Sequence, residues 1–135
     1  MKIDSPNFAF LAGHDEQLVQ LGGLAERYFR DDPNTCLLKL RQFGKQLAQP
    51  EAARTGLFAT ADEPQADLLR RLKVERAAPQ EVLDLFHQLR IAGNRATHEG
   101  AGEHRDALAN LKIARQLAIW FHRTFGQPAT TGTAF

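Results

Sequence analysis

Apolar residues recur at helical spacing through most of the chain, with polar positions between them. Over about residues 15–29, Leu18, Leu21, Leu24, Ala25, Tyr28 and Phe29 fall on one face and predict a first helix. Asp31-Asp32-Pro33 punctuates it. Asp32 suits an N-cap, and Pro33 suits the first helical position, where a missing N–H costs nothing. A second helix is expected over about 33–49, with Cys36, Leu40, Phe43 and Leu47 in one stripe. Gly44 lies inside it at a cost of about 1 kcal/mol against Ala, which a close helix crossing would explain. Pro50 is expected to open a separate short turn ending at Arg54-Thr55-Gly56, and residues 56–64 read as loop.

A third helix, over about 65–76, turns Leu68, Leu69 and Leu72 inward and carries Arg70, Arg71, Lys73 and Arg76 on its other face. Ala77-Ala78-Pro79 breaks it. The fourth helix is expected from Pro79 to about residue 92, on the spacing of Val82, Leu85, Phe86 and Leu89. Gly93-Asn94 reads as its stop, because both residues tolerate the left-handed conformation. A polar connector over 95–102 would follow. The fifth helix, about 103–125, repeats Ala107, Leu111, Ala114, Ala118, Phe121 and Phe125. Leu108, Ile113, Leu117 and Trp120 widen that stripe, so a central position is expected. No stretch alternates with the period of a strand. The fold class is therefore all-α, a single-domain helical bundle of about five helices. An N-terminal arm over 1–14, a bundle over 15–126 and a tail over 127–135 are expected. Phe8 and Phe10 are placed to staple the arm onto the bundle.

Composition narrows the function classes. The 135 residues carry 17 Lys+Arg against 16 Asp+Glu, a formal net charge of +1. Nucleic-acid binding would need a local patch, because the whole chain supplies no attractive field. The single Cys36 excludes an internal disulfide framework, and at its place in an apolar stripe it reads as core. No membrane span and no signal peptide are seen, so a cytoplasmic protein is expected. The usual phosphate-loop, nucleophile-elbow and zinc-protease patterns are absent. His14, His87, His98, His104 and His122 match no strong metal-ligand spacing. No metal and no cofactor are expected.

Two features could meet phosphate. The Arg70, Arg71, Lys73 and Arg76 face is one, although Asp67 and Glu75 flank it and favour a solvated surface. The other is the segment from Leu89 to Gly100, which gathers Arg90, Arg95, Asn94 and His98 at an expected helix–loop–helix junction. There an arginine would hold a phosphate and a histidine carry a proton. The structural alternative, which spacing alone favours, has Asn94 capping the fourth helix, Arg90 bonding its last carbonyls and His98 fixing the loop.

The pattern Leu89-Arg90-x-x-Gly93-Asn94-x-x-x-His98, before a long apolar helix ending Trp120-Phe121-His122, resembles the all-helical HEPN superfamily. More specifically, it resembles the helical N-terminal domain of the restriction (R) subunit of type I restriction–modification enzymes. Phe8-Ala9-Phe10-Leu11, Leu24-Ala25-Glu26-Arg27-Tyr28, Asp32-Pro33-Asn34-Thr35, Leu38-Lys39-Leu40-Arg41-Gln42-Phe43-Gly44 and Leu83-Asp84-Leu85-Phe86 carry that second likeness. It covers about residues 7–126.

Active HEPN ribonucleases carry an Arg, a polar residue, three variable residues and a His, and act as dimers. Mapped onto this chain, His98 takes the His place and Asn94 the polar place, but the Arg place falls on Gly93. Arg90 lies three residues earlier, and Arg95 is too close. The resemblance therefore implies a non-catalytic module, with a metal-independent ribonuclease using Arg90 and His98 across a homodimer as the alternative. A protein-interaction domain without a nucleic-acid role is a third reading. The presumed parent would be an ATP-dependent endonuclease of host defence, whose own motifs this chain lacks. Implied partners are DNA or RNA, through Arg70, Arg71, Lys73, Arg76, Arg90 and Arg95, and other subunits or domains of a restriction–modification complex.

Overall fold

A computed structural model describes residues 5–99 and 103–126. The expected tail over 127–135 and the end of the expected connector, Gly100-Ala101-Gly102, lie outside the described residues. So does the start of the arm, residues 1–4. Among the described residues there are five α-helices, one short 3₁₀ turn and no strand: α1 Glu16–Tyr28, α2 Pro33–Arg54, α3 Gln65–Val74, α4 Gln80–Glu99 and α5 His104–Phe125. None is long and apolar enough to cross a membrane.

The helix starts follow from side chains that satisfy free N–H groups. Asp15 accepts from the Gln17 N–H at 2.9 Å, and its other oxygen accepts from the Gln46 amide at 3.1 Å, tying α1 to α2. Asp32 accepts from the Thr35 N–H at 3.1 Å and from the Thr35 hydroxyl at 2.6 Å, with Pro33 at the first position of α2. The Thr35 hydroxyl and N–H hold the Asp32 carboxyl below its ordinary range.

Three boundaries differ from the sequence expectation. α2 does not stop before Pro50 but continues to Arg54. Pro50 removes one helical N–H, yet the turn beyond it buries Ala52 and the whole of Glu51. The Arg54 guanidinium donates to both Glu51 oxygens, at 2.9 and 2.7 Å, so the buried carboxylate is paired. α3 ends at Val74, and Arg76 takes a left-handed φ of 53° beyond it. The Ala77 N–H closes back onto the Leu72 carbonyl at 2.8 Å, so Arg76 occupies the place a glycine usually fills at a helix end. α4 runs straight through Gly93 and Asn94 to Glu99.

The centre of the bundle is α2, not α5 as its apolar stripe suggested. α2 packs on all four other helices, most extensively on α4 and α1. It buries Cys36, Leu37, Leu40, Phe43, Gly44, Leu47, Ala48, Glu51 and Ala52, which is more than one stripe. α5 packs on α2 and α4 and only touches α1. Burial raises the Cys36 thiol to about 12, consistent with its core role. The arm is anchored by Phe8, which is fully buried with its ring 5.0 Å from that of Phe43. Gly22 of α1 makes room for it, since a Cβ there would meet the Phe8 ring at 2.5 Å. Phe10 lies edge-on to His122 of α5.

Candidate functional site

Two glycines, one from each helix, let α2 and α4 cross closely. A Cβ on Gly44 would lie 3.3 Å from Leu89 Cδ1, the close crossing its place in the sequence predicts. On the other side Gly93 faces Arg41, and a Cβ there would lie 2.4 Å from Arg41 Cβ. The apparent helix stop is thus a contact point within a continuous helix. Gly93 is retained in a helix because only a hydrogen fits beneath the Arg41 stem. Asn94 does not cap α4 but accepts from the Arg41 guanidinium (Nη1 to Oδ1, 2.8 Å). Ala96 is buried one turn on, and the Thr97 hydroxyl donates to the Gly93 carbonyl at 2.9 Å, so the last turns of α4 are held by packing and a local bond.

Beside this crossing lies a cleft of about 420 Å³. α2 contributes Arg41, Gln42 and Lys45, the start of α3 contributes Pro64, Gln65 and Ala66, and α4 contributes Arg90 and Asn94. Three cations converge there, and among the described residues no acid lines it. Arg90 Nε and Gln65 Oε1 are enclosed by protein and have no hydrogen-bond partner. α3 begins at this cleft with Pro64 as its N-cap and no side-chain cap, so its positive end adds to the local field. The arrangement can hold an oxyanion through charge-assisted hydrogen bonds.

Comparison with known proteins gives the context. The chain is 36% identical over 123 residues, 90% of its length, to the type I restriction enzyme EcoKI endonuclease subunit of Escherichia coli (strain K12). This chain is related to a restriction endonuclease subunit. It spans about a tenth of the length of that relative. No protein-family profile matches the chain, and no solved structure matches it.

In this restriction-subunit relative, Arg90, Gly93 and Asn94 come together as their spacing suggested, but on one helix rather than at a junction. Arg90 lies over two turns before the helix end and does not bond the last carbonyls. His98 is exposed in the last turn of α4, and Arg95 is exposed one turn before it. Arg90 and His98 are therefore separated by about 12 Å of helical rise. The basic face expected on the third helix divides. Arg70 pairs with Asp67 at 3.1 Å, and Arg71 pairs with Glu63 and donates to the Leu57 carbonyl at 3.0 Å. Lys73 is exposed on α3, while exposed Arg76 sits in the turn after it. Neighbouring His87 is half-buried. Its imidazole is held below the ordinary value by burial and then by the charge of Arg90, with Asp84 opposing and Lys73 adding to the shift.

Arg41, Lys45 and Gln65 were not singled out by the sequence reading. A signal existed for the first two. Arg41 and Lys45 are four residues apart on α2 and straddle Gly44, the residue that marks the crossing. Gln65 carries no comparable signal, because it reaches the cleft only through the loop that precedes α3. The histidines pair elsewhere: His14 Nε2 and His122 Nδ1 lie 2.9 Å apart, and His104 contacts the Arg30 carbonyl. Among the described residues no three His, Cys, Asp or Glu side chains gather as metal ligands.

Proposed function

We propose that this chain is a non-catalytic helical module of a type I restriction endonuclease subunit. It serves DNA restriction in host defence by docking onto other parts of the restriction complex and by contacting the nucleic-acid backbone. It works in the cytoplasm and needs no cofactor of its own. The observation that carries this reading is the 36% identity over nine-tenths of the chain. The backbone contact is assigned to the cleft of Arg41, Lys45 and Arg90, because three cations without an acid form the local patch that a net charge of +1 requires. The bundle is read as HEPN-like, with Asn94 and His98 in the places of that superfamily's polar residue and histidine.

The separation of Arg90 and His98 along one continuous helix argues against cleavage by a single chain, whereas cleavage across a homodimer predicts RNA cleavage in EDTA that His98→Ala abolishes. A general acid–base pair has to reach the same phosphodiester, and within one chain these two side chains leave the helix more than two turns apart. Binding of short duplex DNA and of single-stranded RNA, measured at two salt concentrations, tests the proposal. Binding at low salt that weakens at higher salt supports backbone contact. Absence of binding at low salt removes the nucleic-acid half and leaves docking alone.

A further inference from the structure

We propose that the Arg41–Lys45–Arg90 cleft is a receptor for a phosphomonoester dianion, and that its occupant is the terminal phosphate of a nucleic-acid strand. The strand-end assignment rests on the nucleic-acid reading above; the anion site stands without it.

The charge pattern comes first. Other arginines near acids are paired: Arg54 with Glu51, Arg70 with Asp67 and Arg71 with Glu63. At the cleft three cations face one space with no acid among the described lining residues, and Arg41 is held only by the neutral Asn94 amide. Like charges gathered in this way repel one another unless an anion sits between them. The second observation is that Arg90 Nε is enclosed without an acceptor. A buried guanidinium N–H left unbonded is among the costliest polar groups in a fold. That N–H is closed off by protein, so an oxyanion in the cleft meets the outer N–H groups of the Arg90 guanidinium and offsets its charge.

The excess of charge selects the kind of phosphate: three cations line the cleft and no acid among the described residues does. An internal phosphodiester carries one charge, and its strand must leave in two directions. A terminal monoester carries nearly two charges at neutral pH. It also enters end-on, which suits a recess of about 420 Å³ lined by Arg41, Lys45 and Arg90.

The test uses the full chain and two probes. Inorganic phosphate is titrated calorimetrically at low chloride. Matched DNA duplexes with 5′-phosphate or 5′-hydroxyl ends are compared by anisotropy. The expected result is saturable heat with phosphate and about tenfold or greater preference for the phosphorylated end. Lys45→Gln and Arg90→Gln, each checked for an unchanged helical spectrum, should abolish both. Phosphate binding with equal affinity for the two ends overturns the strand-end assignment and points to a free phosphate or phosphorylated small molecule. Phosphate binding with no duplex binding at all removes the nucleic-acid reading but supports the anion site. No heat with phosphate and no preference between ends overturns the whole inference.

Discussion

Gly93→Ala adds a single methyl group at the point where the Arg41 stem crosses α4. The new carbon would lie 2.4 Å from Arg41 Cβ, 2.9 Å from Cδ and 3.0 Å from Cγ. Carbon atoms in contact prefer about 3.5–4.0 Å. Because the nearest atom is Cβ, no rotation of the Arg41 side chain relieves the clash, and α2 and α4 must part by roughly an ångström. Overpacking of this kind costs about 1–3 kcal/mol, and replacing a mid-helix glycine returns about 1 kcal/mol. The net destabilisation should be about 0–2 kcal/mol, toward the upper end because no rotamer of Arg41 moves its Cβ away. Gly44→Ala is the control, since its new carbon meets the movable Leu89 Cδ1 at 3.3 Å. There the propensity gain should offset the crowding, leaving stability within about 0.5 kcal/mol of the parent. Urea unfolding followed by helical ellipticity measures both, with the slope expected to stay constant. Arg41→Ala should not rescue Gly93→Ala, because alanine keeps the offending Cβ. A Gly93→Ala protein more stable than its parent, or less damaged than Gly44→Ala, would refute the close-crossing account.

Arg76→Gly should stabilise the protein by about 1 kcal/mol, since glycine adopts the left-handed φ of 53° without a Cβ penalty; an unchanged or lower urea midpoint contradicts that turn. Burial and then the neighbouring His122 hold His14 below its ordinary value of 6.5, and burial and then Arg90 do the same for His87. The folded state therefore binds fewer protons than the unfolded chain, and stability should be lost as pH falls from about 7 through the lowered folded values. Unfolding free energies between pH 7.5 and about 5 check this; His14→Gln with His87→Gln should flatten the dependence. With its thiol raised to about 12 and fully buried, Cys36 should resist a thiol reagent at pH 8 and react only as fast as the protein opens. Immediate stoichiometric labelling would contradict its core position.

Local chemistry made much of this fold legible. Asp32-Pro33 announced the start of α2, and the stripes of α1, α3 and α5 were readable because each element turns a single face to the core. The failures share a cause. Pro50 and Gly93-Asn94 are local stop signals that tertiary contacts override: the first by burial of Glu51 and Ala52, the second by the fit of Arg41 over Gly93. Propensity records what a residue prefers alone and carries no information about the helix lying against it. The central place of α2 was hidden for a related reason. A helix packed on several sides spreads its small and apolar residues around its circumference, and its periodicity weakens as its burial grows. The cleft was half legible. Arg90 and Asn94 stood out through local density of polar residues. Arg41 and Lys45, some fifty positions away in sequence, join them only through the crossing.

In the proposed function, the three cations of the cleft, Arg41, Lys45 and Arg90, act on nucleic-acid phosphate. The most direct measurement is the salt dependence of duplex DNA binding by the parent chain and by a Lys45→Gln/Arg90→Gln variant of unchanged helicity. The prediction is measurable binding at low salt, a linear fall of log K with log salt concentration, and in the variant weaker binding with a slope shallower by about 1–2. No binding by the parent at low salt, or an identical slope and affinity in the variant, would contradict it.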